Sequence, residues 1–338
     1  MKLIVQIPCF NEEHTLPQTV ADIPRAIPGI DRVEVMIVDD GSTDRTIEIA
    51  HAIGVDHVVR HRNNRGLERT FRTGLDAALK LGADIIVNTD GDNQYFGQDI
   101  PKLIQPIMEG KADIVVGDRQ THLIPHFSPV KKLLQKLGSA TVRYLSGTQV
   151  PDTVSGFRAI RRDAALKLNI VSPFSYTVEM LIQAGKKHMA VAAVPIRTNA
   201  KTRPSRLFKS NLGFIARSLT TMLRMYAMYQ PARVFLALGL GFGLLGALPI
   251  FRFLVLWALG QGDGHIQSLV LGGALFVVGI FTFLAGLLSD LMSHNRQLLE
   301  MTLERVRRPE LREPELPGLE RPPARDGGRQ TPGDRRVA

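Results

Sequence analysis

Three clusters of acids and amides carry the residue types that chemistry needs, and each follows an apolar run. Asn11-Glu12-Glu13 comes after Lys2–Ile7. Asp39-Asp40-Gly41-Ser42-Thr43-Asp44 comes after Val33–Val38. Thr89-Asp90-Gly91-Asp92-Asn93-Gln94-Tyr95 comes after Ile85–Val87. In the third, two carboxylates two positions apart, with a carboxamide behind them, suit a hard divalent cation. Mg2+ or Mn2+ prefers oxygen ligands and usually keeps substrate phosphates in its shell, where it neutralises a leaving diphosphate. The acids of the first two clusters can accept hydrogen bonds from a base N–H or from ribose hydroxyls. Ser42, Thr43 and Asp44 can equally cap a helix. A D-x-D pair alone is common in turns; it gains weight from standing third in a series of acidic strand ends.

Such loops need strands to hold them. Strand-like runs recur at Lys2–Ile7, Val33–Val38, His57–Arg60, Ile85–Asn88, Ile114–Gly117 and Val191–Pro195, with helical patterns such as Leu16–Ala26, Asp44–Ile53, Arg69–Leu81 and Asp99–Glu109 between them. Strands alternating with helices predict an α/β domain with a mostly parallel sheet covered on both faces. Ligands of such sheets sit beyond the carboxyl ends of the strands, where the clusters fall. The single cysteine, Cys9, excludes an internal disulfide framework and a thiolate metal cluster. The first residues read as a strand rather than a signal peptide.

The chain has 338 residues, a formal charge of +10 and 44% apolar residues. Its mean hydropathy is +0.02 with 22% charged residues, so the apolar excess must be concentrated. It is concentrated near the C-terminus. Val234–Ile250 runs for 17 residues and Ser268–Ser289 for 22 without a charge, which predicts two bilayer spans. Gly241-Phe-Gly243-Leu-Leu-Gly246 matches a dinucleotide-binding pattern, but it sits inside the first span with no strand before it. Gly239 and Gly243 as a helix-packing face is the better reading. Four domains are expected: a catalytic α/β domain at 1–204, basic amphipathic interfacial helices at 205–230, two membrane helices at 231–292, and a basic, largely disordered tail at 293–338. Residues 309–338 hold 6 Pro and 4 Gly, a composition that does not fold alone. Arg233 before the spans, and Arg296, Arg305, Arg307 and Arg308 after them, place both flanks in the cytoplasm. The excess positive charge points to anionic lipid headgroups; no nucleic-acid-binding motif is present.

With these motifs in view, the chain resembles the family 2 GT-A glycosyltransferases, specifically the polyprenyl-phosphate enzymes related to dolichol-phosphate mannose synthase. PCFNEE at 8–13, VDDGSTD at 38–44, NRGLERTFRTGL at 64–75, TDGDNQY at 89–95, VVGDR at 115–119 and PDTVSGFRAI at 151–160 carry the resemblance. It implies a GT-A fold and transfer of a sugar from a GDP- or UDP-linked donor to polyprenyl or dolichyl phosphate at the plasma membrane of a prokaryote. It implies that Pro8, Asn11, Glu12, Asp39, Asp40 and Gly66 hold the donor, with Asp90 at its sugar or ribose. Lys201, Ser205 and Arg206 would close on its diphosphate. Asp90, Asp92 and Gln94 would hold Mg2+ or Mn2+. Arg119, Lys131 and Lys132 would bind the acceptor phosphate, and Asp152 would act as a base or as an orienting acid. The Q-x-x-R-W motif of processive synthases is missing, since the only tryptophan is Trp257. A different lipid acceptor, and a non-catalytic subunit that binds nucleotide sugar, are the rival readings. A homo-oligomer is left open.

Overall fold

In a computed structural model the structure describes residues 1–120, 129–170, 176–199, 220, 230–261, 264–310 and 319–320. The elements, in chain order, are β1 (Lys2–Cys9), α1 (Leu16–Ala21), β2 (Arg32–Asp39), α2 (Thr46–Ala52), β3 (His57–Arg60), α3 (Leu67–Lys80), β4 (Ile85–Asn88), α4 (Ile100–Met108), β5 (Ile114–Asp118), α5 (Pro129–Ser146), β6 (Arg158–Arg161), α6 (Arg162–Lys167), α7 (Tyr176–Lys186), β7 (Val191–Pro195), α8 (Pro231–Ala258), α9 (Ile266–Glu310) and β8 (Leu319–Glu320).

The strands form one sheet in the order β7-β5-β6-β4-β1-β2-β3-β8. β1 runs parallel to β2 and β4, β2 to β3, and β5 to β7. Alternate residues of each strand point to opposite faces. Leu3, Val5, Ile7, Val35, Ile37 and Val87 therefore enter one core layer. Ile4, Met36, Val38, Val59 and Ile86 enter the other, beneath Phe71 and Leu75 of α3 and Met180 of α7. Gly74 lets α3 approach the sheet this closely: a Cβ there would stand 2.6 Å from Gln6 Oε1 and 2.9 Å from Val38 Cγ2.

All six expected strands are present. β6 was not expected, and it pairs antiparallel with both β4 and β5. Its sequence, Arg158-Ala-Ile-Arg161, has no apolar run. Arg158 is nevertheless fully buried. It donates to the carbonyls of Ser155 (2.8 Å), Thr153 (2.8 Å) and Thr177 (2.6 Å), which provides the acceptors a buried guanidinium requires.

α8 and α9 are long and apolar enough to cross a membrane over Pro231–Ala258 and Ile266–Ser293. Their seam is glycine-lined: Gly239 and Gly243 both lie against Gly279, whose Cβ would stand 2.9 Å from the Gly239 carbonyl oxygen and 2.7 Å from the Gly243 nitrogen, and Gly246 extends the seam. A Cβ on Gly246 would lie 2.6 Å from the Phe276 nitrogen, and one on Gly239 3.0 Å from the Gly279 carbonyl oxygen. A Cβ on Gly243 would meet nothing within 4 Å. The seven-residue spacing of Gly239 and Gly246 matches that of Gly272 and Gly279, as two closely packed helices require. Beyond the apolar span α9 continues to Glu310. Residues 293–308 contain no proline and are rich in Leu, Glu, Gln and Arg, all good helix formers. The interfacial segment expected at 205–230 lies outside the described residues, apart from 220 and 230.

At the amino end of the sheet, Glu34 of β2 is buried among Lys2 Nζ (2.8 Å), Arg32 Nε (2.6 Å) and His57 Nε2 (2.7 Å). Burial alone would raise its pKa, but the hydrogen bonds from His57 and Lys2 prevail and hold it at about 2. A carboxylate depressed in the folded state stabilises above its unfolded pKa and loses that contribution as the pH falls through the folded value. We therefore expect Glu34→Gln to lower the unfolding midpoint near pH 6. The gap to the parent protein should narrow steadily between pH 4.5 and 2 in denaturation curves of the detergent-solubilised protein. A gap independent of pH would contradict this role.

Candidate functional site

The loops at the carboxyl ends of β1, β2 and β4 are knitted into one surface. Asn11, at φ 56°, takes a bond from the Thr43 N–H (2.9 Å) on its Oδ1 and donates its own N–H to Ser42 Oγ (2.9 Å). The Glu12 N–H donates to Thr46 Oγ1 (2.9 Å), and Thr15 Oγ1 donates to Glu12 Oε2 (3.0 Å). Thr15 Oγ1 also donates to the Gly91 carbonyl at 2.7 Å. Gly91 presses against Cys9 and Glu12: a Cβ would stand 3.1 Å from Cys9 Sγ and 3.3 Å from Glu12 Cγ. Pro8 is buried in β1, in register with Val38.

The acids of the second cluster face their own chain. Asp39 is wholly buried; it accepts the Ser42 N–H (3.2 Å) and lies 3.4 Å from Arg60 Nε. Asp40 Oδ1 accepts the Arg65 N–H (2.8 Å) and pairs with His61 Nδ1 (2.9 Å), and its Oδ2 accepts the Gly66 N–H (2.8 Å). Asn11, Glu12, Asp39 and Asp40, the expected donor-binding residues, thus stand together at one end of the sheet, bound to the loops that carry them. Gly41 permits this at φ 76°, where a Cβ would lie 2.7 Å from the Asn63 backbone. Gly66, at φ 92°, starts α3.

Asp90 and Asp92 are half-buried and lie farther out. Gly156 abuts the Asp90 carboxylate, and a Cβ there would be 3.0 Å from Oδ1. The Gln94 Nε2 donates to Asp92 Oδ2 at 2.7 Å. Asn93, at φ 55°, turns the loop. Asn199 locks it from beyond β7, donating to the Asn93 carbonyl (3.0 Å) and, through its N–H, to the Gln94 carbonyl (2.9 Å). Among the described residues no group of three or more His, Cys, Asp or Glu could hold a metal ion. The donors here are a few half-buried oxygens, which fits a cation that completes its shell with substrate phosphates and water. It does not fit an all-protein cage.

The cationic side of the cleft follows β5. Arg119 forks onto Asp152, with Nε 2.7 Å from Oδ2 and Nη2 3.0 Å from Oδ1. Asp152 is 2% exposed. Two parallel hydrogen bonds between a guanidinium and a carboxylate fix the orientation of both groups. Lys131 and Lys132 fall in the first turn of α5, but their side chains lie outside the described residues. Lys201, Ser205 and Arg206 lie outside them entirely.

Sequence reasoning missed the supports. Tyr95 accepts the Gly156 N–H at 2.8 Å and stacks on Phe157. Burial, then the charge of Asp90, pushes its phenol up to about 12, so it stays neutral beside the acids. Asn88 Nδ2 donates to the Gly156 carbonyl at 2.8 Å. Tyr95 stood in a quoted motif; Asn199 and His61 gave no signal, because their partners are far away in sequence.

If Asp40 is the hub of the 61–66 loop, Asp40→Ala removes the acceptor of the Arg65 N–H and the partner of His61 Nδ1, and leaves the Gly66 N–H only its longer bond to Asn64 Oδ1 at 3.2 Å. The expected loss is on the order of 3 kcal/mol of domain stability by chemical denaturation. A loss below the error of the measurement would show that the loop folds without it.

The fold is shared with known proteins. The profile described as Glycosyl transferase family 2 matches residues 4–168. The UDP-N-acetylglucosamine--dolichyl-phosphate N-acetylglucosaminyltransferase of Methanococcus voltae is 30% identical over 213 residues, covering 57% of this chain and 83% of that protein. The polyprenol monophosphomannose synthase of Mycolicibacterium smegmatis is 26% identical over 223 residues, 62% of this chain and 83% of its own. Among solved structures, glucosyl-3-phosphoglycerate synthase from Mycobacterium tuberculosis, in complex with Mn2+, uridine diphosphate and phosphoglyceric acid, superposes with a TM-score of 0.52. That match has 22% identity and covers 66% of this chain and 77% of that one; it shows the shared GT-A fold. With the profile lying over the strands that carry Asp39, Asp92 and Arg119, and a relative matched over most of its length, the chain belongs to glycosyl transferase family 2.

Proposed function

We propose that this chain transfers a sugar from a nucleotide sugar to a polyprenyl phosphate, with inversion, at the cytoplasmic face of a membrane. The observation that carries the reading is the Arg119 fork. A cation held rigidly by a buried carboxylate and within the electrostatic reach of Asp90 suits an anionic acceptor. The names of the relatives support a polyprenyl-type acceptor. They differ in sugar, so the donor is assigned only as a nucleotide-linked hexose. The basic flanks of α8 and α9 and the uncharged or acidic connector between them support the cytoplasmic orientation.

The mechanism follows from charge. The loops shaped by Asn11, Glu12, Asp39, Asp40 and Gly66 frame the nucleoside. Asp90, beside Gly156, faces the sugar or ribose. Asp92, with Asp90 and Gln94 beside it, would hold Mg2+ or Mn2+, which supplies charge neutralisation to the leaving diphosphate. The acceptor phosphate is already a nucleophile, so the difficulty is to bring two anions together. Arg119 offsets that repulsion and fixes the direction of attack. One phosphate oxygen forms a bond to the anomeric carbon as the bond from that carbon to the diphosphate oxygen breaks on the opposite side. A dianionic phosphate has no proton to give up, and Asp152 is not needed as a base.

The test is a transfer assay in membranes holding the protein, with a panel of UDP- and GDP-sugars, polyprenyl phosphate, and Mg2+ or Mn2+. We expect one donor to label a mild-acid-labile lipid. Labelling should fall on the order of 100-fold in Asp92→Ala, as for loss of one transition-state stabiliser, and should stop with EDTA. A donor that is bound or hydrolysed while no lipid phosphate is labelled would overturn the acceptor assignment.

A further inference from the structure

The C-terminal half of α9 is amphipathic, and its apolar side faces away from the chain. Leu288, Leu291, Met292, Leu298, Leu299 and Val306 are all exposed, with Leu288 at 63%, Met292 at 72% and Leu299 at 70%. Their spacings of three, four and seven put them on one side of the helix. Ser289, Asp290 and Ser293 fall on the other side and are half-buried. A helix that packs only on its own domain turns its apolar stripe inward and its polar side to water. Here the apolar side is the open one.

Lipid covers only part of this stripe. The apolar span ends at Ser293, but α9 runs on unbroken to Glu310, roughly 25 Å farther at about 1.5 Å per residue. Residues 293–308 hold no proline that would bend the helix onto the membrane surface. The stripe therefore rises out of the hydrocarbon and past the headgroups.

The pattern within the stripe says what fits it. Leu288, Asn295 and Thr302 recur every seven residues, and Leu291 and Leu298 each follow three residues after the first two. This is the a/d seam of a coiled coil, with leucine at the d positions as two strands prefer. Asn295 and Thr302 are exposed as well. A single asparagine in such a seam lowers stability but fixes the register, because it pairs with its counterpart at the same level. Two copies of this chain in one membrane share one topology. Their α9 helices leave the bilayer parallel, and position 295 of one arrives level with position 295 of the other. Confinement to the same membrane also raises the effective concentration of the second copy.

We propose that the exposed stripe of α9, from Leu288 to Val306, binds the same stripe of a second copy as a short parallel coiled coil, with the Asn295 side chains paired across the seam. This inference rests on the reading of α8 and α9 as membrane spans. It is independent of which sugar or acceptor the protein uses.

The experiment uses the full-length protein in membranes. Cys9, the single native cysteine, is buried, so the parent protein should give no cross-link. Thr302→Cys, in the seam, should form a disulfide-linked dimer on mild oxidation, because facing seam positions come within bridging distance. A single position that links to itself also requires the two helices to be parallel and in register. Gln297→Cys, on the opposite side of the helix, should form no dimer. Adding Leu298→Glu and Leu299→Glu to Thr302→Cys should cut the dimer band at least about tenfold, the effect of losing roughly one buried apolar side chain. Equal cross-linking at 297 and 302 reports collision alone and overturns the proposal. Absence of a dimer at 302 overturns it and means that something other than a second copy covers the stripe. A dimer band unchanged by the two glutamates overturns it as well. Release of the parent protein from membranes by alkaline carbonate overturns the span reading, and the parallel pairing with it.

Discussion

The Arg119 guanidinium is held by two hydrogen bonds to one buried carboxylate, and the rest of the site is arranged around that fixed positive charge. The acids that face the cleft, Asp90 and Asp92, stand on a different loop. The acids nearest the core, Asp39 and Asp40, are turned inward and bound to their own chain. An exposed arginine could swing away; one gripped by Asp152 cannot, and electrostatic stabilisation is most effective when the dipoles and charges are in place before the reaction.

Holding such a site requires backbone that regular structure does not supply. Asn11 and Asn93 adopt positive φ, and Gly41, Gly91 and Gly156 allow neighbouring loops to touch where a side chain would collide. Beneath the Asp152 loop, Arg158 is completely buried and bound to three carbonyls. Burial lowers its pKa to about 10, so it remains charged at neutral pH. It serves as a polar bolt between β6, the 153–155 turn and α7.

Much of this was legible in the sequence, and the boundary is physical. Strands buried on both faces announce themselves as continuous apolar runs, so β1, β2, β4 and β5 were plain. β6 was hidden because only Ala159 and Ile160 of its four residues enter the apolar core, while Arg158 is buried through hydrogen bonds. The acids of the site were visible by type and place. Their hydrogen-bond partners were not, because those of Asp40 come from the 61–66 loop and Asn93 is held by Asn199, 106 residues away. The helix hairpin shows the same limit. Its glycines at 239 and 243 were evident, but only the packing added Gly246 to the seam.

The central claim is that Asp152 serves the reaction by holding Arg119 for an anionic acceptor. The most direct measurement is the affinity of the full-length protein in detergent for a prenyl phosphate and for the matching prenyl alcohol, in the parent protein and in Asp152→Asn. The account predicts that the parent binds the phosphate at least about tenfold more tightly, a charge-assisted preference of roughly 1.5 kcal/mol or more, and that Asp152→Asn loses most of that preference while binding the alcohol as before. Equal affinity for phosphate and alcohol in the parent, or an unchanged preference in Asp152→Asn, would contradict it.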